Sequence, residues 1–399
     1  ATYNNQTVTV MFTLIISVTG VTANEVYALK VGDSANLSKK IAPEDATNQD
    51  VIWKSDNENI VTVDENGKIT AVAEGEANIT VTTKDQNKTA TCKIYVMPQN
   101  AKFGKCGDNA WWKFNNGVFT VWGNGAVTDT SGFSAYKTKT TSVVVEKGIT
   151  EVGGFYGFTA LENIEIMDGV EKIKESAFKS CKNLKQIELP ESITKIGQDA
   201  FRDCTGVSYI KIGSPKCEYA SGFGVFSGMG SSEGVTVEFG EKVTEIPRLM
   251  LGAQVRTVKF DGKVKKIGNY AFYGWSNLGE IELPESVEEI GNGAFIDCAK
   301  LSSITVGENV TKIGSAAFNG CRGLKKVIMN ARLEEENAAF ETAGNGEMEV
   351  IYGQGITKIG RLFCGSKIQK VEIPEGVETI EESAFKSCKN LKQIELPES

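Results

Sequence analysis

The sequence predicts a mainly β chain in which a β-sandwich is followed by a solenoid with a parallel sheet on one face. Two observations predict this architecture. Short strands of alternating polarity, separated by turn-rich segments, fill residues 19–98. A unit of 22–25 residues then recurs from residue 149 to residue 399, which is the spacing of stacked repeat proteins. The chain of 399 residues is long enough for both parts to bury a core.

The longest apolar run lies near the start of the chain, VTVMFTLIISV at residues 8–18. A helix needs about 20 residues to cross a bilayer, so no transmembrane segment is predicted. The alternation of Thr and Val favours a strand. The alternative, the core of a signal peptide, lacks the basic residue that would precede it. We therefore assign residues 1–18 to an N-terminal strand or linker.

Residues 19–98 predict a sandwich because apolar residues recur every second position, as on one face of a strand. Asp64-Glu65-Asn66-Gly67 supplies the turn of a hairpin, where Asn and Gly tolerate positive φ. Trp53 is predicted to lie in a strand and to point into the core. The inward strand positions are Val61/Val63, Ile69/Ala71, Ala77/Ile79/Val81 and Ile94/Val96.

The same segment resembles a known domain family. The resemblance rests on VTGV (18–21), LKVGDSANL (29–37), VIWKSDNENIVTVDENGKITAV (51–72) and GEANITVTT (75–83). These residues resemble the bacterial Ig-like group 2 domain over nearly the whole segment. The resemblance implies an immunoglobulin-like sandwich that acts as a stalk or adhesin module on a bacterial surface. The segment has no pair of cysteines for an internal disulfide, since Cys92 is its only cysteine.

Residues 99–148 carry a dense group of aromatic side chains. Trp111, Trp112 and Trp122, with Phe114 and Phe119, lie in a stretch rich in Gly and Asn. Flat rings at this density could form a platform on which a glycan stacks. We favour an N-terminal cap of the solenoid, because a terminal repeat has no neighbour to cover its apolar face.

The repeat that follows has the consensus L-x-x-I-x-L-P-x-x-V-x-x-I-G-x-x-A-F-x-x-C. Ile187 and Leu189 alternate as on one face of a short strand. Pro190 ends that strand, since it has no N–H for further pairing, and Phe201 is predicted to fill the interior. The resulting Phe ladder is predicted to start at Phe158 and to run through Phe178, Phe201, Phe226, Met250, Phe272, Phe295, Phe318, Phe340, Phe363 and Phe385.

This consensus, with its A-F and C-x-x-L positions, resembles the BspA-type (treponemal-type) leucine-rich repeat over residues 101–399. The resemblance implies a secreted or surface-exposed protein linked to adhesion to host proteins, cells or other bacteria. Two stretches depart from the consensus, 213–235 and 330–350, and are predicted to project as loops. We divide the chain into a strand or linker (1–18), an Ig-like domain (19–98), a cap (99–148) and leucine-rich repeats (149–399).

The cysteines follow the repeat. Five of the nine lie three residues after a ladder Phe, namely Cys181, Cys204, Cys298, Cys321 and Cys388. Equivalent positions of stacked strands are about 4.8 Å apart, whereas a disulfide requires Cβ atoms about 3.8 Å apart. We therefore predict buried thiols at these positions. The others, Cys92, Cys106, Cys217 and Cys364, lie at other phases, and a Cys92–Cys106 disulfide stays open as an alternative.

Composition excludes several functional classes. The chain has 43 Lys and Arg against 51 Asp and Glu, a net charge of -8, and no basic run, so no nucleic acid partner is predicted. The absence of histidine excludes Ser–His and Cys–His catalytic pairs and His-ligated zinc. Asp64-Glu65-Asn66-Gly67 resembles the start of a calcium loop but lacks the remaining ligands. No metal and no cofactor are predicted.

The outward face of the predicted sheet is the candidate interaction surface. Its six glutamates could attract a basic partner or calcium, or could form a solvated face that prevents aggregation. Ile328 and Ile351 are adjacent and apolar, which predicts an interaction patch. The outward positions, in order, are Glu165, Glu188, Lys211, Glu238, Lys259, Glu282, Thr305, Ile328, Ile351, Glu372 and Glu395.

The sequence as a whole predicts a non-catalytic protein at the cell surface or outside the cell. Stacked glutamates could approach the separation of a retaining glycosidase pair, about 5–5.5 Å, but no enclosed site that would raise one pKa is evident. The resemblance to the BspA-type family implies an adhesin-like protein whose repeats bind a protein or glycan on host or neighbouring cells. The alternatives are an architectural stalk or surface-layer element, and an accessory polysaccharide-binding protein.

Overall fold

The computed structural model describes residues 2–3, 6–7, 13–215, 217–219, 224–231, 233–248, 253–333 and 337–398. The chain divides into two compact units. The first consists of residues 1–115 with 123–125, and the second of residues 116–122 with 126–399. Almost every regular element is a strand, as the alternating and repeating patterns predict.

The first unit is an immunoglobulin-like sandwich. One sheet has the strand order β4-β11-β10-β7, in which β4 runs parallel to β11 and the other neighbours are antiparallel. Facing strands form the sheet β5-β9-β8 and the pair β3-β6. The strands are β1 Thr2–Tyr3, β2 Gln6–Thr7, β3 Gly20–Ala23, β4 Val26–Lys30, β5 Ser34–Asn36, β6 Lys39–Ala42, β7 Val51–Ser55, β8 Val61–Val63, β9 Lys68–Ala71, β10 Gly75–Thr83, β11 Thr89–Met97, β12 Lys102–Lys105 and β13 Asn109–Asn115.

The predicted core of this sandwich is confirmed. Trp53 is buried in β7 and packs with the inward residues of β8 to β11. The Asp64 carboxylate accepts backbone N–H groups from Asn66 and Lys68, both at 2.9 Å, and so closes the hairpin between β8 and β9. Gly67 at its end has φ +82°, and an added Cβ would come within 2.7 Å of the Trp53 ring. A glycine is therefore required where the turn meets the core.

The prediction of a strand at residues 8–18 is wrong for residues 13–18. Residues 8–12 lie outside the described residues, and residues 13–18 form no strand. Leu14 and Ile15 are exposed, whereas Val18 is buried in the sandwich core. The Ile16 carbonyl accepts the Thr47 N–H at 2.8 Å. The end of this apolar run is therefore an irregular segment attached to the sandwich.

The second unit is a solenoid with two rows of parallel strands. The longer strands form the series β14-β15-β17, β19-β21-β23-β25 and β28-β30-β31-β33-β35, and the two-residue strands form a second row. The elements are β14 Val118–Ala126, a 3₁₀ helix Ser131–Tyr136, β15 Ser142–Val145, β16 Ile149–Val152, β17 Asn163–Ile166, β18 Lys172–Ile173, β19 Gln186–Leu189, β20 Lys195–Ile196, β21 Tyr209–Ile212, β22 Glu218–Tyr219, β23 Val235–Phe239, β24 Glu245–Ile246, β25 Val255–Phe260, β26 Lys266–Ile267, β27 Glu289–Ile290, β28 Ser303–Val306, β29 Lys312–Ile313, β30 Lys326–Met329, β31 Met348–Tyr352, β32 Lys358–Ile359, β33 Ile368–Glu372, β34 Thr379–Ile380 and β35 Gln393–Glu395.

Stacked phenylalanine rings form the core of the solenoid. Phe178 and Phe201 have ring centroids 5.4 Å apart and planes inclined by 4°, and Phe318 lies 4.4 Å from Phe340. The expected start of the ladder at Phe158 is wrong, because Phe155 stacks on Phe178 at 5.4 Å. Phe158 instead occupies the position that a cysteine holds in later repeats. Met250 of the predicted ladder lies outside the described residues.

The turn that carries each ladder Phe is held by backbone hydrogen bonds to the next repeat. The N–H groups of Ser176, Phe178 and Ser180 donate to the carbonyls of the following unit at 2.8–2.9 Å. Two residues of this turn, four positions apart, adopt positive φ, Ser176 at +54° and Ser180 at +61°. The turn is therefore bonded to the following repeat on this side of the solenoid as well as in the sheets.

The two irregular stretches remain part of the solenoid over their described residues. In 213–235, β22 pairs with β20 and Phe226 stacks on Phe201 at 5.6 Å. In 330–350, Phe340 continues the ladder and Ala331, Ala339 and Ala343 are buried. The expectation that both stretches project as loops is therefore wrong for these residues. Each stretch departs from the consensus sequence but keeps the ring contact between its ladder Phe and that of the preceding repeat.

Candidate binding surfaces

The parallel register aligns the outward residues of neighbouring strands. Glu188 pairs with Lys211, Lys211 with Glu238, and Glu238 with Lys259. In the later series, Thr305, Ile328, Ile351, Glu372 and Glu395 are aligned in the same way. The residues on either side of each position point into the core and are mostly buried. Neighbouring outward side chains are therefore about 4.8 Å apart along this face.

The row is interrupted at Glu282. Residues 279–283 form no strand, and β25 and β28 on either side belong to different sheets. Gly279 stands where the corresponding repeats have Lys185 and Lys325, and glycine weakens a strand. Glu282 itself is exposed. It therefore lies on an irregular segment between two parts of the sheet face.

Lysines divide the acidic row. Lys211 Nζ lies 2.5 Å from the Glu238 carboxylate and 2.9 Å from that of Asp261. Lys370 Nζ contacts Glu372 at 2.5 Å and Glu395 at 3.2 Å. The hydrogen bond from Lys370 lowers the pKa of Glu372, and the carboxylates in turn raise the pKa of Lys370. Glu238, Glu372 and Glu395 are thus engaged within the chain and do not form one continuous acidic surface.

Glu165 and Glu188 occupy the first part of the face. Both side chains are exposed, at the third positions of β17 and β19. Among the described residues, neither carboxylate is joined to a lysine or arginine within 4 Å. These two and Glu282 are the members of the acidic row that point toward solvent without such a partner.

Ile328 and Ile351 form an apolar pair on the outward face. They are register partners in β30 and β31, and both are partly exposed. Thr305 lies on one side of the pair and Glu372 on the other. The pair is therefore a small, partly exposed apolar patch framed by polar side chains.

A polar groove lies beside this pair. It has a volume of about 760 Å³ and includes Thr305, the outward neighbour of Ile328. Its described lining has four glutamates, three amide side chains and one arginine. The polar lining residues include Glu280, Glu282, Glu308, Asn330, Arg332 and Gln354. The groove thus extends the patch toward the interruption of the sheet.

The tryptophans considered as a glycan platform are buried. Trp111, Trp112 and Trp122 are 7%, 8% and 2% exposed. The Trp111 ring packs against Tyr27 with centroids 5.4 Å apart. Trp112 lies over Gly104, where an added Cβ would approach the indole to 2.8 Å. An exposed platform at these rings is therefore wrong, because their faces are covered by packing.

An exposed aromatic cluster occurs elsewhere, in the turn after β26. Tyr270 is 42% exposed, and the guanidinium carbon of Arg248 lies 5.7 Å from the centroids of both Tyr270 and Tyr273. The sequence reasoning missed this cluster. The available signal was that Tyr270 stands two residues before a ladder Phe, where other repeats have small residues such as Ser176.

The nine cysteines, all within the described residues, form no disulfide. The alternative of a Cys92–Cys106 bridge is therefore not realised. Burial raises the pKa of the Cys92 and Cys181 thiols to about 12, and burial also raises the pKa of Cys204. A thiol with a raised pKa is a poor nucleophile at neutral pH. These side chains are structural.

Within the described part of the chain, no group of three or more Cys, Asp or Glu side chains is arranged to hold a metal ion. No helix of the described residues is long and apolar enough to span a membrane. The candidate surfaces described above are the sheet face, its groove and the exposed aromatic cluster.

Curated relatives match short parts of the chain. A protein of Clostridium acetobutylicum without an assigned function is 48% identical over 81 residues, 20% of this chain and 20% of its own length. A lacto-N-biosidase of Bifidobacterium bifidum is 42% identical over 85 residues, 21% of this chain and 8% of its own. A kappa-carrageenase of Pseudoalteromonas carrageenovora is 42% identical over 68 residues, 17% of each. The chain thus spans a fifth or less of these relatives.

Solved structures with similar repeats are also found. A leucine-rich repeat protein of Bacteroides ovatus is 19% identical over 76% of this chain and 94% of its own, with a TM-score of 0.36. A leucine rich cell surface protein of Faecalibacterium prausnitzii is 20% identical over 74% and 94%, with a TM-score of 0.27. Likeness at these scores supports no argument about function.

Family models cover both units. The model described as BspA type leucine rich repeat region matches residues 130–251, 250–362 and 357–399, and the bacterial Ig-like domain (group 2) matches residues 16–94. The two resemblances seen in the sequence are thereby confirmed. Since the repeat model matches more than half of the chain, the chain belongs to the BspA type leucine-rich-repeat family, and it carries a bacterial Ig-like group 2 domain at residues 16–94.

Proposed function

We propose that this chain is a non-catalytic, extracellular or cell-surface protein that binds a protein on host or neighbouring cells in an adhesin-like manner. Proteins with BspA-like leucine-rich repeats are cell-surface proteins and are typically non-enzymatic. Leucine-rich repeats generally bind proteins. The stacked strands offer the rigid, extended surface on which many weak contacts can be summed. The Ig-like domain serves as a spacer.

The observation that carries the proposal is the Ile328–Ile351 pair. An outward sheet face that only keeps the solenoid soluble needs polar residues, which most other positions of the row supply. Two neighbouring β-branched apolar residues instead present a surface that gains free energy when a partner covers it. The adjoining groove would receive polar side chains at the rim of such an interface.

The glutamates enter the proposal unequally. Glu238, Glu372 and Glu395 are engaged by Lys211 and Lys370, so they would orient neighbouring side chains rather than attract a partner. Glu165, Glu188 and Glu282 remain to steer a basic surface toward the face. Such steering would affect the association rate more than the affinity. It would also weaken as the salt concentration rises.

The test is binding of the whole chain to a panel of extracellular-matrix proteins, mucins and epithelial cells. Replacing Ile328 and Ile351 by Thr, the residue at the preceding outward position, should weaken binding by about tenfold or more. Ile380→Thr is the matched control, since Ile380 is exposed on the short strand β34 and should leave binding unchanged.

Two outcomes would overturn the proposal. Binding that survives the double replacement would remove the sheet face as its site. Absence of binding to the whole panel, together with self-association in sedimentation experiments, would favour an architectural stalk or surface-layer element.

A further inference from the structure

Tyr270 stands in a backbone conformation that bulky residues avoid. It has φ +57°, in the left-handed region, at the position two residues before the ladder Phe272. Other repeats with positive φ at this position have small residues there, namely Ser176, Asp199, Gly293, Ala316 and Ser383. A tyrosine held in this conformation is strained, and strain retained in a folded protein points to a function. The ring is nevertheless 42% exposed, so burial does not explain its presence.

The ring is fixed in place by its neighbours. An added Cβ at Gly293 would come within 2.6 Å of the Tyr270 ring, so the ring lies against the glycine of the next repeat. The Tyr273 ring stands nearly perpendicular to it, at 84° and with centroids 6.3 Å apart. The guanidinium of Arg248 is 5.7 Å from both centroids. Two rings and a cation are thus preorganised on an exposed turn.

Two asparagines lie near Tyr270, since Asn269 precedes it in the chain and the Tyr270 N–H donates to the Asn292 carbonyl at 2.9 Å. Asn269 Oδ1 accepts the Asn292 N–H at 2.8 Å, and Asn292 Oδ1 accepts the Ser315 N–H at 2.8 Å. Because each amide oxygen is turned to the backbone, each NH₂ group is left to donate outward, and both asparagines are exposed. Arg248 adds further donors. The carboxylates of the adjoining short strands, Glu245 and Glu289, are both paired with Lys266 at 3.4 and 3.7 Å.

We propose that Arg248, Tyr270 and Tyr273, with Asn269 and Asn292, bind a carboxylated saccharide. The negative faces of the aromatic rings attract the C–H groups of a pyranose ring. A guanidinium forms paired hydrogen bonds with a carboxylate, and the amides donate to sugar hydroxyls. The five side chains offer donors and apolar faces, which matches a ligand rich in acceptors. The site lies in the turns that follow the short strands β24, β26 and β27. It is independent of the sheet face that carries Ile328 and Ile351.

A carboxylated saccharide can come from two sources, a uronic acid chain or a sialylated glycan. Isothermal titration of the full chain with a hyaluronan hexasaccharide, an oligogalacturonate and 3′-sialyllactose separates them. A carboxyl-reduced oligogalacturonate tests the charge requirement. We expect saturable binding of at least one acidic probe and a loss of about tenfold or more on carboxyl reduction.

The decisive variants replace each residue by the one that the repeat has elsewhere. Tyr270→Ser restores the residue at the position of Ser176, and Arg248→Asn restores that of Asn269, so both should fold. Each should weaken saccharide binding by about tenfold or more. Tyr156→Lys is the matched control, because Tyr156 is also exposed with a lysine, Lys137, 5.3 Å from its ring, but is not part of the cluster.

The proposal fails if none of the three probes binds the wild-type chain at millimolar concentration. It also fails if Tyr270→Ser and Arg248→Asn bind as tightly as the wild type. Loss of adhesion to a protein in the Tyr270→Ser variant, without any saccharide binding, would overturn the saccharide in favour of a protein ligand.

Discussion

The thiol of Cys204 donates a hydrogen bond to the backbone carbonyl of Phe178, with Sγ 3.2 Å from the oxygen. Cys181 makes the same contact with Phe155 at 3.2 Å, and Cys321 with Phe295 at 3.0 Å. Each thiol therefore satisfies a carbonyl of the preceding repeat while filling a small buried space. Serine holds this position at Ser366, which is also buried, whereas Phe158 and Trp275 fill it with larger buried rings.

Thiol accessibility follows from this arrangement. In the native chain, we expect a water-soluble maleimide to label Cys217, Cys364 and Cys388, which are partly exposed, before the buried Cys204 and Cys298. Mass spectrometry of quenched samples measures the order. Unfolding in guanidinium should make all nine react alike. Labelling of Cys204 as fast as Cys364 in the native state would contradict the buried contact.

The raised thiol pKa values predict destabilisation at alkaline pH. An unfolded thiol loses its proton near pH 9.0, whereas Cys181 in the fold retains it up to about pH 12. The unfolded state therefore binds fewer protons between these values, and the free energy of unfolding falls as the pH rises, by at most about 1.4 kcal/mol per pH unit. Below pH 9 the full stabilisation is present.

Cys181→Ala removes this contribution. The stability difference between wild type and variant, measured by denaturant titration, should shrink between pH 8 and pH 10.5. Ile380→Ala, which removes no titrating group from an exposed position, should show a constant difference. A difference that grows with pH would contradict the assignment.

The ion-pair group around Lys370 predicts an acid-sensitive contribution. Lys370 lowers the pKa of Glu372, so the stabilisation is present above the ordinary glutamate pKa and is lost as the pH falls through the lowered value. Lys370→Met should therefore reduce the melting temperature by more at pH 7 than at pH 3. The group is solvent-accessible, so 1 M salt should reduce the effect at pH 7. An effect equal at pH 3 and pH 7 would show that Lys370 acts through packing.

The phenylalanine ladder predicts a large cavity effect. Phe318 is fully buried between Phe295 and Phe340, at centroid distances of 4.9 and 4.4 Å. Phe318→Ala should lower the free energy of unfolding by about 3–5 kcal/mol. Ile380→Ala, at an exposed position, should cost about 0.5 kcal/mol or less. Equal costs in a denaturant titration would contradict the proposed core.

The periodic part of the fold was predictable because a fixed spacing determines which residues share a face. The 23-residue step from Phe178 to Phe201 predicted their stacking, and the alternation at Ile187 and Leu189 predicted the inward positions of β19. The start of the ladder was not predictable by spacing alone, since Phe155 and Phe158 both precede a turn. Only packing shows that Phe155 continues the stack.

The exposure of single side chains could not be read from the sequence. Trp111 and Tyr270 are both aromatic residues in polar surroundings, yet one is covered by Tyr27 and Phe103 and the other faces solvent. The difference depends on contacts between residues distant in sequence. For the same reason the lysine contacts of Glu238 and Glu372, which decide how much of the acidic row is available, required the register of the strands.

The hydrogen bonds of the turn give the solenoid a direction. In each described step, the N–H groups of one repeat donate to carbonyls of the next, as from Phe178 to Ala200 and from Phe272 to Ala294. Peptide dipoles aligned in this way add along this column of turns, whereas other turns donate in the opposite direction, as from Gly197 to Ile173 and from Ser208 to Lys185. A folded repeat thus presents a ready-made template of donors to its successor. Growth of the folded array from a nucleus is therefore expected to resemble the extension of a polar one-dimensional crystal, in which the two growth directions are chemically distinct.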